Sequence, residues 1–107
     1  LHAFMSRLGS AAKYALNNLG GRASIERLGV AGAADESAVR TGLLLWEARG
    51  MLSVNFKDEE VHIRADRPEA YFDASALLET MLKELLEESR AYRRYFHQVE
   101  LRSIINR

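Results

Sequence analysis

Five side chains in this sequence are placed to meet phosphate. Ser37, Arg40 and Thr41 share one side of a stretch with helical spacing, and Lys57 and Arg64 belong to the hairpin that follows it. Arginine and lysine neutralise phosphate, and a hydroxyl near a helix start donates to it. Where a helix is followed by a hairpin in this way, the helix enters the major groove and the hairpin, or wing, touches backbone. The pattern therefore points to DNA. The same stretch carries opposing charge. Asp35, Glu36 and Glu47 share the helix, and Asp58-Glu59-Glu60 forms the hairpin tip. Surface ion pairing is the plainer account of Arg40 and Arg49, at under about 1 kcal/mol each. Backbone contact, or use of the surface for protein partners, fits these charges better than base reading.

Other candidates for chemistry are weaker. Arg90-Ala91-Tyr92-Arg93-Arg94-Tyr95-Phe96-His97 interleaves cations with aromatics, a composition that stacks on bases. Its plainer reading makes Tyr92 and Phe96 part of an apolar helix face, with the arginines as its flank. There is no glycine-rich phosphate loop and no dinucleotide fingerprint. His2, His62 and His97 are dispersed without metal-ligand spacing. Glu59-Glu60 and the Glu84, Glu87, Glu88 group read as solvated surface. No catalytic residue, no metal site and no cofactor of its own is expected for this stretch.

The elements that position these residues can be read in order. Ala3 to Leu19 reads as a first helix with Phe4, Leu8, Ala12, Ala15, Leu16 and Leu19 apolar, weakened near Gly9 by about 1 kcal/mol. Asn17-Asn18 and Gly20-Gly21 end it. Arg22 to Ser24 reads as a short strand, or Ser24 as a helix cap. Ile25 to Leu28 is a short helix, and Gly29 to Ala34 a turn. Asp35 caps the next helix, whose Val39, Leu43 and Trp46 share a face, and Gly50 stops it in the left-handed region. Leu52, Val54 and Phe56, then Val61 and Ile63, alternate as strands around the acidic tip. The expected core is Leu16, Ile25, Leu28, Val39, Leu43, Trp46, Leu52, Val54 and Ile63. Residues 1–67 thus read as a winged-helix domain, mainly α with a small antiparallel sheet.

Residues 68–107 read as a linker, with Pro68, and a long helix capped by Asp73. Leu78, Leu82, Leu85, Ser89, Tyr92, Phe96 and Val99 alternate in steps of four and three, close to a heptad seam. That seam needs an apolar partner: the winged domain, a second copy in a homodimer, or other domains of a parent protein. Asp73 to Glu88 holds five acids and one lysine, and Ser89 to Arg107 five arginines and one acid. This order suits the helix dipole and favours antiparallel pairing.

The totals set the bounds. The 107 residues suit one domain with an appendage, 48% of them are hydrophobic, and there is no cysteine, which excludes a disulfide framework and a cysteine zinc site. A reducing, cytoplasmic setting fits. Fifteen cations balance fifteen acids, so the chain is no strongly basic binder, though a local basic patch is compatible with neutrality. No apolar run approaches a membrane span. Leu1-His2 is neither an initiator methionine nor a signal peptide, and the chain reads as a piece of a longer protein.

Leu45-Trp46-Glu47-Ala48-Arg49-Gly50-Met51-Leu52-Ser53-Val54 resembles the end of the recognition helix in many bacterial winged-helix proteins. The order of winged helix, linker and long helix ending near Tyr92-Arg93-Arg94-Tyr95-Phe96 resembles the region after the helicase core in bacterial RecQ-family DNA helicases. The resemblance covers nearly the whole chain through loose motifs. It implies an accessory DNA-binding domain that supports unwinding or repair, with ATP and Mg used by ATPase lobes upstream. Carried over, Arg40, Thr41 and Lys57 are the DNA contacts. Two departures stand against it: the four-cysteine zinc module is absent here, and the tip lacks the aromatic wedge that well-studied members use. Two other readings are a MarR-like regulator dimerised by the long helix, and a winged-helix protein-interaction module.

Overall fold

The computed structural model describes the backbone of residues 1–105 and the side chains through Glu88, with Arg90. Four helices and three strands follow in the order α1 (His2–Asn18), β1 (Arg22–Ser24), α2 (Ile25–Gly32), α3 (Glu36–Ala48), β2 (Ser53–Lys57), β3 (Glu60–Arg64) and α4 (Phe72–Ile105). The strands form one antiparallel sheet in the order β1-β3-β2. This is the expected layout, mainly α with a small antiparallel sheet and winged-helix order.

Local chemistry sets the limits of α3. Asp35 Oδ1 accepts from Ala38 N at 2.9 Å, and Glu36 adds charge in the first turn. At the other end Gly50 has φ +76°, a conformation that costs an L side chain and not glycine. Gly50 N donates to Glu47 O, and Met51 N to Trp46 O, so the last carbonyls are satisfied as the chain turns into the hairpin. In the hairpin Val54 faces Ile63, Phe56 faces Val61 and Lys57 faces Glu60. Only Asp58 and Glu59 are left for the tip, with Asp58 at φ +55°. Val61 and Ile63 point into the core while Glu60, His62 and Arg64 point out. Ser24 does both things expected of it: it pairs with Glu60 and accepts from Arg27 N at 3.0 Å as the cap of α2.

Two boundaries differ from expectation. The segment Gly29 to Ala34 is mostly helix, and only Ala33-Ala34 turns, with Ala33 left-handed at φ +53°. The glycines there serve contact and not turning. A Cβ on Gly29 would stand 2.8 Å from Ala34 O, and one on Gly32 would stand 3.1 Å from the Phe4 ring. Second, α4 begins at Phe72, so Asp73 lies in its first turn instead of capping it. The dipole still favours its charge there.

The core draws Phe4, Met5, Leu8, Ala12 and Ala15 from α1, Ile25 and Leu28 from α2, Val39, Leu43 and Leu45 from α3, and Leu52, Val61 and Ile63 from the hairpin. Of the expected core, Leu16, Trp46 and Val54 are only partly buried at its margin. Leu82 of α4 is fully buried in the same cluster, with Leu78 and Leu86 packed beside it. Successive members lie about one turn apart, which puts all three on the side of the helix that meets the winged body; the heptad seam called for Leu85 in place of Leu86. Leu85 is half-buried and does not join the core-packed set. Tyr92 and Phe96, the remaining seam residues, lie outside the described side chains. Leu82→Ala is expected to lower stability by about 2–5 kcal/mol. Leu77→Ala, at a position of the same helix exposed in the single chain, should change the stability of the monomer by no more than about 0.5 kcal/mol. Denaturant unfolding of both variants checks this, and equal effects would refute the docking of α4.

Candidate nucleic-acid interface

Helix α3 is covered on two flanks. Val39, Gly42 and Leu43 lie towards the core, where a Cβ on Gly42 would stand 2.6 Å from Leu8 Cδ2. The opposite flank carries Thr41, Leu45 and Ala48 and turns to α4. There Ala48 O accepts from Tyr71 N at 2.8 Å, and Arg49 reaches Glu79 at 3.6 Å. Thr41 is consequently 9% exposed. This corrects the expectation that Thr41 contacts DNA: the sequence pattern shows one apolar flank, whereas the helix has two, and the second became visible only once α4 docked.

The strip left open on α3 holds Glu36, Ser37, Arg40 and Leu44, with Glu47 half-buried at its end. Ser37 is exposed as expected. Arg40 is fully engaged. Its Nε donates to Glu36 Oε1 at 2.9 Å, its terminal nitrogen donates to Asp58 O at 2.7 Å, and its guanidinium lies 5.2 Å from the Phe56 ring centre. One arginine thus joins helix, wing strand and wing tip. Glu47 does the same at the other end, where Oε2 accepts from Val54 N at 2.7 Å. The wing is fixed against α3 at both ends, and the recognition strip is left with Ser37, Leu44 and two carboxylates engaged with neighbours. Arg64 pairs with Asp66 at 3.6 Å, both exposed. Lys57 is exposed and forms no ion pair with a described residue, but its cross-strand neighbour is Glu60.

The free positive charge is elsewhere. The first acidic residue of the chain is Glu26, so α1 and β1 contain none, while they carry Arg7, Lys13 and Arg22. Arg7 reaches Gly32 O at 3.4 Å. Lys13, Arg22, Arg27 and Arg67 are exposed and form no ion pair with a described residue. Lys13 and Arg67 stand on the rim of a groove of about 590 Å³ between α1 and the segment after β3. Ser6 and Ser10 add hydroxyls, Trp46 and Met51 form part of the floor, and none of the lining residues is acidic. Gly9 makes room here, since a Cβ would meet Trp46 Cζ2 at 3.1 Å. On the other side of α1 a second groove holds Tyr14, 61% exposed, with Arg22, Arg27 and one acid, Glu60. The long acid-free run at the start of the sequence is the signal for this side, and attention to the helix-hairpin motif passes over it.

Among the described residues no cluster of three or more His, Asp or Glu could hold a metal ion, and no helix is long and apolar enough to cross a membrane. No protein-family model, curated protein or solved structure matches the chain. The two helix–wing links yield a prediction. Glu47→Ala, which removes a charged acceptor from a backbone donor, should cost about 1.5–3 kcal/mol. Arg40→Ala should cost about 1–2 kcal/mol, from an exposed cation–π contact, an i,i+4 pair and the solvent-exposed hydrogen bond to Asp58 O. Both should raise amide exchange at Val54 to Val61 above that of α3, as measured by NMR, and unchanged exchange there would refute the links.

Proposed function

We propose that this chain is an accessory winged-helix domain that holds nucleic-acid backbone through the side formed by α1 and the segment after β3, without reading bases through α3. The observation that carries this reading is the groove rimmed by Lys13 and Arg67, whose lining holds no acid; across α1, Arg22 and Arg27 are likewise without an ion pair among the described residues. Cations with no carboxylate partner retain their full attraction for phosphate, and serines on the rim supply donors without sequence preference. Tyr14, exposed in the second groove with Arg22 and Arg27, offers ring surface beside charge, the combination that suits unpaired strands. The order of winged helix and long helix supports the RecQ-like resemblance. On that reading the domain serves a cytoplasmic DNA helicase in unwinding or repair, and ATP and Mg belong to lobes of the parent protein. A MarR-like regulator is less well served, because it would read bases with a helix whose Arg40 is engaged and whose Thr41 is buried.

Fluorescence anisotropy with duplex, forked and single-stranded DNA tests the proposal. Binding should weaken steeply between about 50 and about 200 mM salt. The double variant Lys13→Ala, Arg67→Ala should reduce the salt slope by about 2 and the low-salt affinity by about tenfold or more. Absence of salt-sensitive binding to all three DNAs, or wild-type binding by the double variant, would overturn it.

A further inference from the structure

Helix α4 has a second apolar stripe that the winged body covers only at its far end, where Leu85 is half-buried. Leu77 is 63% exposed and Met81 43% exposed, one helical turn apart, and Leu85 continues the step. Each stands one residue before a member of the docked set Leu78, Leu82 and Leu86, and so lies about 100° round the helix from it. Exposed leucines alone say nothing about a partner. The charges beside them do. Asp73, Glu84, Glu87 and Glu88 are exposed and form no ion pair with a described residue. The complementary charge is in the same helix: Ser89 to Ile105 carries four arginines against one acid. The helix has 34 residues, about 51 Å at 1.5 Å per residue, and a single copy cannot bring its two halves together.

From this we infer that α4 pairs with α4 of a second copy, antiparallel and crossing near Glu88, so that the stripe of Leu77, Met81 and Leu85 meets the half of the partner helix that follows Ser89. A parallel pair would set acid on acid and arginine on arginine along its whole length. The antiparallel pair sets each acidic half on the partner's arginine half, and two-fold symmetry repeats that match. The partner is a second copy because this chain itself supplies both halves of the charge pattern. The pairing is independent of the DNA-contacting side, which lies on α1.

Sedimentation velocity tests it on the whole chain. The wild type should be a dimer that dissociates as salt rises. Glu84→Arg with Glu87→Arg and Glu88→Arg should be monomeric, as should Arg90→Glu with Arg93→Glu and Arg94→Glu. An equimolar mixture of these two variants should restore the dimer, since a mainly basic helix then meets a mainly acidic one. Leu77→Glu with Met81→Glu should weaken dimerisation at least tenfold while its thermal midpoint stays at that of the dissociated wild type, because both positions are exposed in the monomer. A wild type that stays monomeric up to about 1 mM, the weakest affinity worth calling association, would overturn the proposal. So would charge-inverted variants that each dimerise as the wild type does.

Discussion

The burial of Leu82 as α4 packs on α3 is the constraint on which the rest of the structure depends. It brings α4 down onto the flank of α3 that carries Thr41, Leu45 and Ala48, so α3 has packed neighbours on two sides. A helix held in this way has little surface left for a groove, and what remains faces the wing. The hairpin then fastens to that remainder through Arg40 and Glu47. The winged-helix order is retained, but the element that usually reads bases has become the centre of the packing.

That placement sorts the charges. The cations on α3 are spent within the fold, Arg40 on Glu36 and Asp58 O, and Arg49 on Glu79 and the Trp46 ring. The wing is as short as a hairpin allows, with Asp58 and Glu59 at its tip. The cations free of partners among the described residues lie mostly on α1 and β1, which hold no acid, on α2, and at Arg67 after β3, which has Asp66 and Glu69 near it in sequence. A neutral chain can therefore present a positive side, as its composition permitted without indicating where.

Much of the architecture was legible in the sequence, because its signals are local. Asp35, Gly50, the alternation around Asp58-Glu59 and the capping by Ser24 each act within a few residues. Other features depend on contacts far apart in the chain. Gly29 and Gly32 look like a flexible turn until Phe4 and Ala34 are known to press on them. Thr41 looks exposed until α4 covers it. The long apolar series of α4 shows that a partner is needed but not which one. The structure gives the winged body to Leu78, Leu82 and Leu86 and leaves Leu77 and Met81 uncovered. Of the five phosphate-contact candidates, Ser37 and Lys57 remain open, Arg40 and Arg64 are paired, and Thr41 is buried.

Native-state hydrogen exchange of the backbone amides of Leu78 to Leu86, compared with those of Val39 to Leu45, tests the central account most directly. If α4 is part of the core, both sets open with the same free energy, that of global unfolding. Exchange of the α4 amides through an opening of much lower free energy, with α3 still fully protected, would contradict it.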